Sequence, residues 1–319
     1  MNQIDFKNFG FDTDVSKSNV NDKNAEDVTR LMIACEKGDI TLAEYLLSIG
    51  ANIDEHSSTG ATALTYALSE KHSHIAKFLL EKGCDIDFLC DNNPLSFWCI
   101  KFGTFDIFEH LFQYDTFRKT VDYLMLESTI RLGREEFIPF IISNVTFNEL
   151  TMSDISILVA KYSSFEILKL IFNHKVSPLP NYIGSNKSTA LIESIKNKSL
   201  EKVKYLVGEK KFDVNLVDSE GLTPIIVASK VGNVEIFDFL ISNGANINQS
   251  FDKFTPIFNA VRFKNHDLII YLIEKGVDIT HTFISKDLGK EIVEKMESCG
   301  KIDLMKNFAK IKRIPLKKS

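Results

Sequence analysis

A segment of about 33 residues recurs along the chain, and this periodicity constrains the fold more than any other feature. Four copies are clear, and they begin at Thr29, Thr62, Thr223 and Thr255. The first reads "TRLMIACEKGDITLAEYLLSIGANID" and the third "TPIIVASKVGNVEIFDFLISNGANIN". The 161 residues between Thr62 and Thr223 leave room for five units of this length. Such a period predicts a repeat fold, in which stacked units share one continuous core.

Each unit has the pattern of two short helices. In the copy from Thr223, the leading Thr suits a helix N-cap and Pro224 suits the first turn. Gly232 interrupts the first helix, and Gly244 follows the second, where a left-handed cap favours glycine. The spacing of the apolar residues between these glycines predicts an amphipathic second helix, with Ile236, Phe237, Leu240 and Ile241 on its buried face.

Weaker copies fill the rest of the chain. We place their starts near Pro94, Leu124, Asp154, Thr189 and Glu291. In the middle copies the glycine after the second helix is replaced, by Asp115, Val145, Lys175 and Lys210. We therefore expect the middle of the chain to be less regular and locally less stable.

The Thr-Pro opening, the small residue at repeat position six, the Gly at position ten and the "GANI(N/D)" ending resemble the ankyrin repeat. The resemblance covers residues 25–312, with degenerate repeats over 94–210, and implies an all-α ankyrin-repeat solenoid of about eight to nine repeats. We expect residues 1–24 to form a flexible polar arm and residues 313–319 a basic tail. The family usually has His at position four, whereas this chain has Met32, Thr65, Ile226 and Phe258 there.

Composition and charge narrow the class of protein. The formal net charge is −5, which argues against a general affinity for nucleic acid. No run of apolar residues reaches the roughly 18–20 needed to cross a bilayer, and the first residues lack the features of a signal peptide. The five cysteines form no disulfide framework, which favours a reducing compartment. We expect an intracellular, most simply cytoplasmic, protein, with nuclear residence or non-classical secretion as alternatives.

No catalytic motif is present, so we predict that the protein is not an enzyme and needs no cofactor. His72, His74, Cys84 and Cys90 do not have the spacing of a zinc site, and we predict no metal. Cys35, Cys84 and Cys99 occupy small-residue positions and should pack in the core. Cys90 and Cys299 fall at positions that we expect to be exposed.

Repeat position eight, late in the first helix, is basic in six consecutive copies. We call this set the basic column: Lys101, Arg131, Lys161, Lys196, Lys230 and Arg262. It predicts a binding surface for an acidic partner segment, more for an acidic protein than for DNA. The competing interpretation is that lysine, a good helix former, commonly fills a solvent-facing position. The resemblance implies binding on the concave side, formed by first-helix residues and by the loops before each Thr, called fingers.

Aromatic residues mark the second candidate site. Phe251 and Phe254 lie on the finger before Thr255, and Phe263 follows Arg262. Phe88 and Phe102 hold similar places near the third unit. Exposed aromatic rings beside arginine are typical of interface hot spots. The alternative is that each ring packs within its own hairpin.

The sequence therefore predicts a non-enzymatic protein–protein interaction module or scaffold, monomeric and without membrane insertion. Two alternatives stay open. One is a regulator that acts on the proteins of another cell. The other is an enzyme or ligand sensor that uses the irregular region 94–210.

Overall fold

A computed structural model describes residues 5–11, 15–250, 255–279, 282, 284–312 and 314 of the 319-residue chain. The chain divides into two compact units, unit 1 over residues 1–147 and unit 2 over residues 148–319. In the described ranges the protein is an all-α repeat solenoid with one two-stranded hairpin. None of the helices in these ranges is both long and apolar enough to span a membrane.

Unit 1 consists of short helices in pairs. Its elements are a 3-10 turn (Phe6–Phe9), α1 (Arg30–Glu36), α2 (Ile40–Ser48), α3 (Ala63–Ser69), α4 (Ser73–Glu81), β1 (Leu89–Cys90), β2 (Asn93–Pro94), α5 (Leu95–Phe102), α6 (Phe105–Leu111), α7 (Asp115–Lys119), α8 (Tyr123–Arg131), a 3-10 turn (Glu135–Phe137) and α9 (Ile138–Asn144).

Unit 2 continues the same alternation of first and second helices. Its elements are α10 (Glu149–Tyr162), α11 (Phe165–Phe172), α12 (Ala190–Lys196), α13 (Leu200–Lys204) with a π-helical turn (Tyr205–Glu209), α14 (Pro224–Val231), α15 (Val234–Ser242), α16 (Pro256–Arg262), α17 (His266–Glu274), α18 (Lys286–Ser298) and α19 (Ile302–Lys312).

Threonine and proline begin the regular first helices, as the sequence predicts. The side chain of Thr189 accepts a hydrogen bond from the Ile192 amide at 3.1 Å, and that of Thr255 from the Phe258 amide at 3.2 Å. Pro224 and Pro256 stand in the first turns of α14 and α16, where the missing N–H has no helical partner to lose.

Three of the weaker copies begin earlier than we predicted from the sequence. Asp122, Asn148 and Ser285 are the N-caps of α8, α10 and α18, whereas the predicted starts were Leu124, Asp154 and Glu291. The side chain of Asp122 accepts from the Met125 amide at 3.0 Å and that of Asn148 from the Thr151 amide at 2.8 Å. Because Asp, Asn and Ser cap helices as well as Thr does, the search for a leading Thr misplaced these starts.

The core of each unit lies between successive first helices. In unit 1 the order of contact is α1, α3, α5, α8, and in unit 2 it is α10, α12, α14, α16. Unit 2 also buries polar groups at this interface, where the amide of Asn259 donates to the Ser229 hydroxyl at 3.1 Å. The first helices are therefore held by their neighbours in the stack, and their exposed C-terminal ends keep a fixed spacing.

Residues 20–28 form a finger, although we predicted that residues 1–24 are a flexible arm. The side-chain Oδ1 of Asn24 accepts hydrogen bonds from the backbone amides of Glu26 and Val28 at 3.0 and 2.9 Å. Asp218 makes the same pair of bonds in a regular finger. Asp27 adopts φ 63°, where other fingers have glycine, and this replacement hid the finger in the sequence.

Part of the preceding segment packs on the first repeat as well. Phe11 is buried, and the Arg30 guanidinium lies 4.0 Å from the centre of its ring. The same guanidinium donates to the Asn19 carbonyl at 2.7 Å, and the Asn24 amide donates to the Phe9 carbonyl at 2.8 Å. Residues 5–11 therefore cover the first helix of unit 1, and these contacts do not fit a flexible arm.

A short helix replaces one finger of unit 1. Where a finger would precede α8, the chain forms α7 instead. A cavity of about 310 Å³ lies between α7 and the β1–β2 hairpin, lined mainly by Phe88, Leu89, Leu95 and Phe117. This irregularity lies in the region that we predicted to be less regular.

Candidate interaction surface

The basic column occupies the last turn of each first helix. Lys101 and Arg131 lie in unit 1, and Lys161, Lys196, Lys230 and Arg262 lie in unit 2. All six are exposed except Lys230, which is half-buried. A cation at this place interacts favourably with the negative end of the helix dipole, which gives the column a structural reason to be basic.

The two unit 1 members of the column are engaged locally. The Lys101 ammonium lies 4.2 Å from the centre of the Trp98 ring, and Phe102 stacks on the same indole at 5.5 Å. Arg131 pairs with Glu127 at 2.7 Å. These contacts reduce what Lys101, Phe102 and Arg131 can offer to a partner.

In unit 2, asparagine side chains join neighbouring turns. The Asn265 amide donates to the carbonyls of Ser229 and Lys230, at 3.0 and 3.2 Å. The Asn197 amide donates to the Ala160 carbonyl at 3.1 Å and also bonds the Lys161 carbonyl. The C-terminal end of one first helix is thus capped by the next repeat. The lysines next to these asparagines, Lys196 and Lys198 at Asn197 and Lys264 at Asn265, are brought beside the end of the preceding first helix.

Two basic clusters result in unit 2. We call them cluster A and cluster B: cluster A contains Lys161, Lys196 and Lys198, and cluster B contains Lys230, Arg262 and Lys264. Lys196 is partly neutralised, because its ammonium lies 2.8 Å from a carboxylate oxygen of the buried Glu193.

Two exposed apolar residues at repeat position nine, Leu132 and Tyr162, were missed by the sequence analysis, whereas Phe263 at the same position was proposed there. Leu132 is 43% exposed, Tyr162 42% and Phe263 48%. Lys161 lies over the Tyr162 ring at 5.0 Å, and Arg262 over the Phe263 ring at 5.7 Å. The sequence contained this signal, because the residue directly after each member of the basic column is apolar in five of the six copies.

The predicted aromatic site is only partly described. Phe251 and Phe254 lie outside the described residues. Phe263 is exposed beside Arg262, and Phe258, 39% exposed, lies in the same helix as Arg262. Phe88 is buried, and its ring lies 6.0 Å from that of His56, so its predicted exposure was wrong, because the ring packs against the preceding finger.

The cysteines divide into four buried residues and one exposed residue. Burial raises the pKa of the Cys35, Cys84 and Cys99 thiols to about 12, in keeping with their predicted packing role. Cys299 is exposed as predicted, whereas Cys90 is buried. The expectation for Cys90 was wrong because it lies in strand β1, under Trp98, whose indole donates to its carbonyl at 3.2 Å.

The histidines of the hypothetical zinc cluster have structural contacts. A ring nitrogen of His72 lies 3.0 Å from the Glu36 carbonyl, and the rings of His72 and His74 are 6.0 Å apart. Across the residues that the structure describes, no group of three potential metal ligands is found.

Comparison with known proteins agrees with this architecture. Residues 14–90, 31–122 and 210–282 match the family model for ankyrin repeats, in three copies that together cover more than half of the chain. An ankyrin repeat protein of fowlpox virus is 37% identical over 203 residues, which are 58% of this chain and 29% of that protein. The chain thus spans less than a third of the length of this relative. The match to the repeat model and the stacked helix pairs together place the chain in the ankyrin repeat family, whose members are generally non-enzymatic modules for protein–protein interaction.

Proposed function

We propose that the chain binds an acidic segment of a partner protein along the inter-helix turns of unit 2, on the concave face expected of an ankyrin stack. The observation that carries this proposal is the pair of basic clusters, each with an exposed aromatic ring, Tyr162 or Phe263. Rings beside cations at a desolvated surface are the composition of binding hot spots. In this account the protein acts as a monomeric, intracellular scaffold.

The distribution of charge supports an acidic partner for unit 2. Residues 1–147 contain 13 Lys and Arg and 23 Asp and Glu, a formal net charge of −10. Residues 148–319 contain 25 Lys and Arg and 20 Asp and Glu, a formal net charge of +5. The net charge of the whole chain therefore hides a basic unit. Opposite charge steers association and selects partners.

The helix-dipole explanation for the basic column is not sufficient for the clusters. Each helix end carries about half a negative charge, so the two ends in a cluster contribute about one. Each cluster contains three cations at the two helix ends, and in cluster A the Glu193 carboxylate pairs with one of them. Lys198 and Lys264 stand beyond the last residues of α12 and α16, outside the basic column.

Affinity capture tests the proposal. The full chain and its Lys161→Gln, Lys230→Gln, Arg262→Gln variant would be immobilised and exposed to lysate, and bound proteins identified by mass spectrometry. Lys196 is retained because its ammonium pairs with buried Glu193. A matched control neutralises three exposed lysines on α18 and α19, Lys286, Lys290 and Lys306.

We expect at least one protein with an acidic segment to be captured by the wild type and the control but lost with the triple variant, at unchanged circular dichroism. Equal capture by all three chains would contradict the proposed surface.

A further inference from the structure

We propose that the partner segment is extended and carries two acidic centres about five or six residues apart, one for each basic cluster. This inference depends on the proposed function and specifies its ligand. The observation behind it is the repetition of one arrangement, three cations with an exposed aromatic ring, at two places along the same stack.

Cluster A is assembled where α12 meets the end of α10. Asn197 bonds the Lys161 carbonyl, so its neighbours Lys196 and Lys198 lie alongside the last turn of α10. The exposed ring of Tyr162 follows Lys161 directly.

Cluster B repeats this arrangement between α14 and α16. Asn265 is 3.2 Å from the Lys230 carbonyl, which places the preceding residues, Arg262 to Lys264, beside the end of α14. Phe263, 48% exposed, lies within this cluster. Each cluster therefore offers charge and an apolar contact together.

The order of the helices fixes the separation of the clusters. Cluster A belongs to α10 and α12 and cluster B to α14 and α16, and these helices contact one another in succession. The centres of the clusters are thus two helix steps apart. With about 8–10 Å between packed helix axes, two steps are about 16–20 Å. An extended chain advances about 3.3–3.6 Å per residue, so this distance corresponds to about five or six residues.

Lys198 and Lys264 add to each cluster a cation that the basic column does not contain. They adopt φ 57° and 55°, in the left-handed region where Gly38 and Gly232 stand in the corresponding turns. A side chain other than glycine is disfavoured in this region, and such outliers tend to occur at functional sites. Neither ammonium group has an ion-pair partner among the residues that the structure describes. Lys71, in unit 1, adopts φ 60° at the same repeat position and serves as a control.

Labelled peptides of equal composition test the spacing. Each would contain two Glu-Glu-Leu triplets, either adjacent or separated by Gly and Ser, with triplet centres three, six or twelve residues apart. Binding to the full chain would be followed by fluorescence anisotropy at physiological salt. We expect the six-residue spacing to bind at least tenfold more tightly than the other two.

The double variant Lys198→Gly, Lys264→Gly should weaken this binding at least fivefold, and Lys71→Gly should not. Glycine relieves the backbone conformation, so the double variant should be no less stable than the wild type, and a loss of binding would not reflect unfolding.

Three outcomes would overturn the inference. Equal affinity for all spacings would mean general attraction to a basic unit. A single-stranded oligothymidylate of equal charge that binds as tightly as the best peptide would mean recognition of a polyanion. If no peptide binds while the triple variant still loses a captured protein, the proposed function would stand and the two-centre ligand would be wrong.

Discussion

The Lys202 side chain is buried in unit 2 at the C-terminal end of α10. Its ammonium group donates to the carbonyls of Ala160, Val159 and Ser163, at 3.1, 3.4 and 2.5 Å. A buried cation is stable only where hydrogen bonds replace its hydration, and here the open end of a helix supplies them.

We predict that Lys202→Met lowers the unfolding free energy of unit 2 by about 2–4 kcal/mol, because charge-assisted bonds are lost and carbonyls are left buried. Urea denaturation would measure the change. Lys204→Met, on the exposed side of α13, is the control and should shift stability by less than about 0.5 kcal/mol. A loss below about 1 kcal/mol for Lys202→Met would show that water replaces the ammonium.

Because three thiols are buried, the free energy of unfolding falls at alkaline pH. Burial raises the pKa of Cys35, Cys84 and Cys99 to about 12, whereas an unfolded thiol titrates near 8.5. The folded state therefore retains these protons between the two values and the unfolded state does not. Their contribution is fully present below the unfolded pKa and is lost as pH rises above it.

We predict that stability falls between pH 8 and pH 10, by on the order of 1 kcal/mol per thiol for each pH unit above the unfolded pKa. Urea midpoints under reducing conditions would follow the change. A variant with alanine at all three positions should start less stable and show a flatter pH profile. Parallel profiles would refute the assignment to these thiols.

At the scale of elements, deletion of the N-terminal segment tests whether it is a folded cap or a flexible arm. Residues 5–11 bury Phe11 and shield the Arg30 guanidinium. Burying one aromatic side chain stabilises by about 1.5–3 kcal/mol. We predict that deletion of residues 1–11 lowers the urea midpoint of unit 1, with a loss of about 2–4 kcal/mol, and that deletion of residues 1–4 has little effect. Equal stability of both deletions and the full chain would support the flexible arm.

The elements that repeat could be predicted from the sequence, and those that depart from the repeat could not. Thr189 and Thr255 begin helices because the same capping group recurs at the same spacing. Asp27 and Asn148 take the roles of glycine and threonine, and these equivalences become visible only when the hydrogen bonds are known. Cys90 was misassigned because burial in β1 depends on how Trp98 packs over the hairpin.

The basic residues of the candidate site could be identified from the sequence, but their arrangement in space could not. The basic column is visible in the sequence, whereas its combination into clusters depends on Asn197 and Asn265, which reach back to the preceding helix. Lys198 and Lys264 stand at glycine positions and were not counted. The exposed ring of Tyr162 at repeat position nine was overlooked because only the basic column was compared between copies.

At the scale of the whole molecule, the opposite net charges of residues 1–147 and 148–319 make association depend on salt. The Debye length falls from about 30 Å at 0.01 M to about 8 Å at 0.15 M ionic strength. We predict that the wild-type chain loses affinity for its captured partner at least tenfold between 0.05 and 0.3 M salt. The triple variant should show a shallower dependence, and equal dependence would place the charged contacts elsewhere.

Hydrogen exchange of the full chain, with and without its captured partner, tests the central claim most directly. The account predicts new protection at the inter-helix turns of unit 2, residues 161–164, 196–199, 230–233 and 262–265, and unchanged exchange over residues 286–312. Protection confined to unit 1, or to the second helices of unit 2, would contradict it.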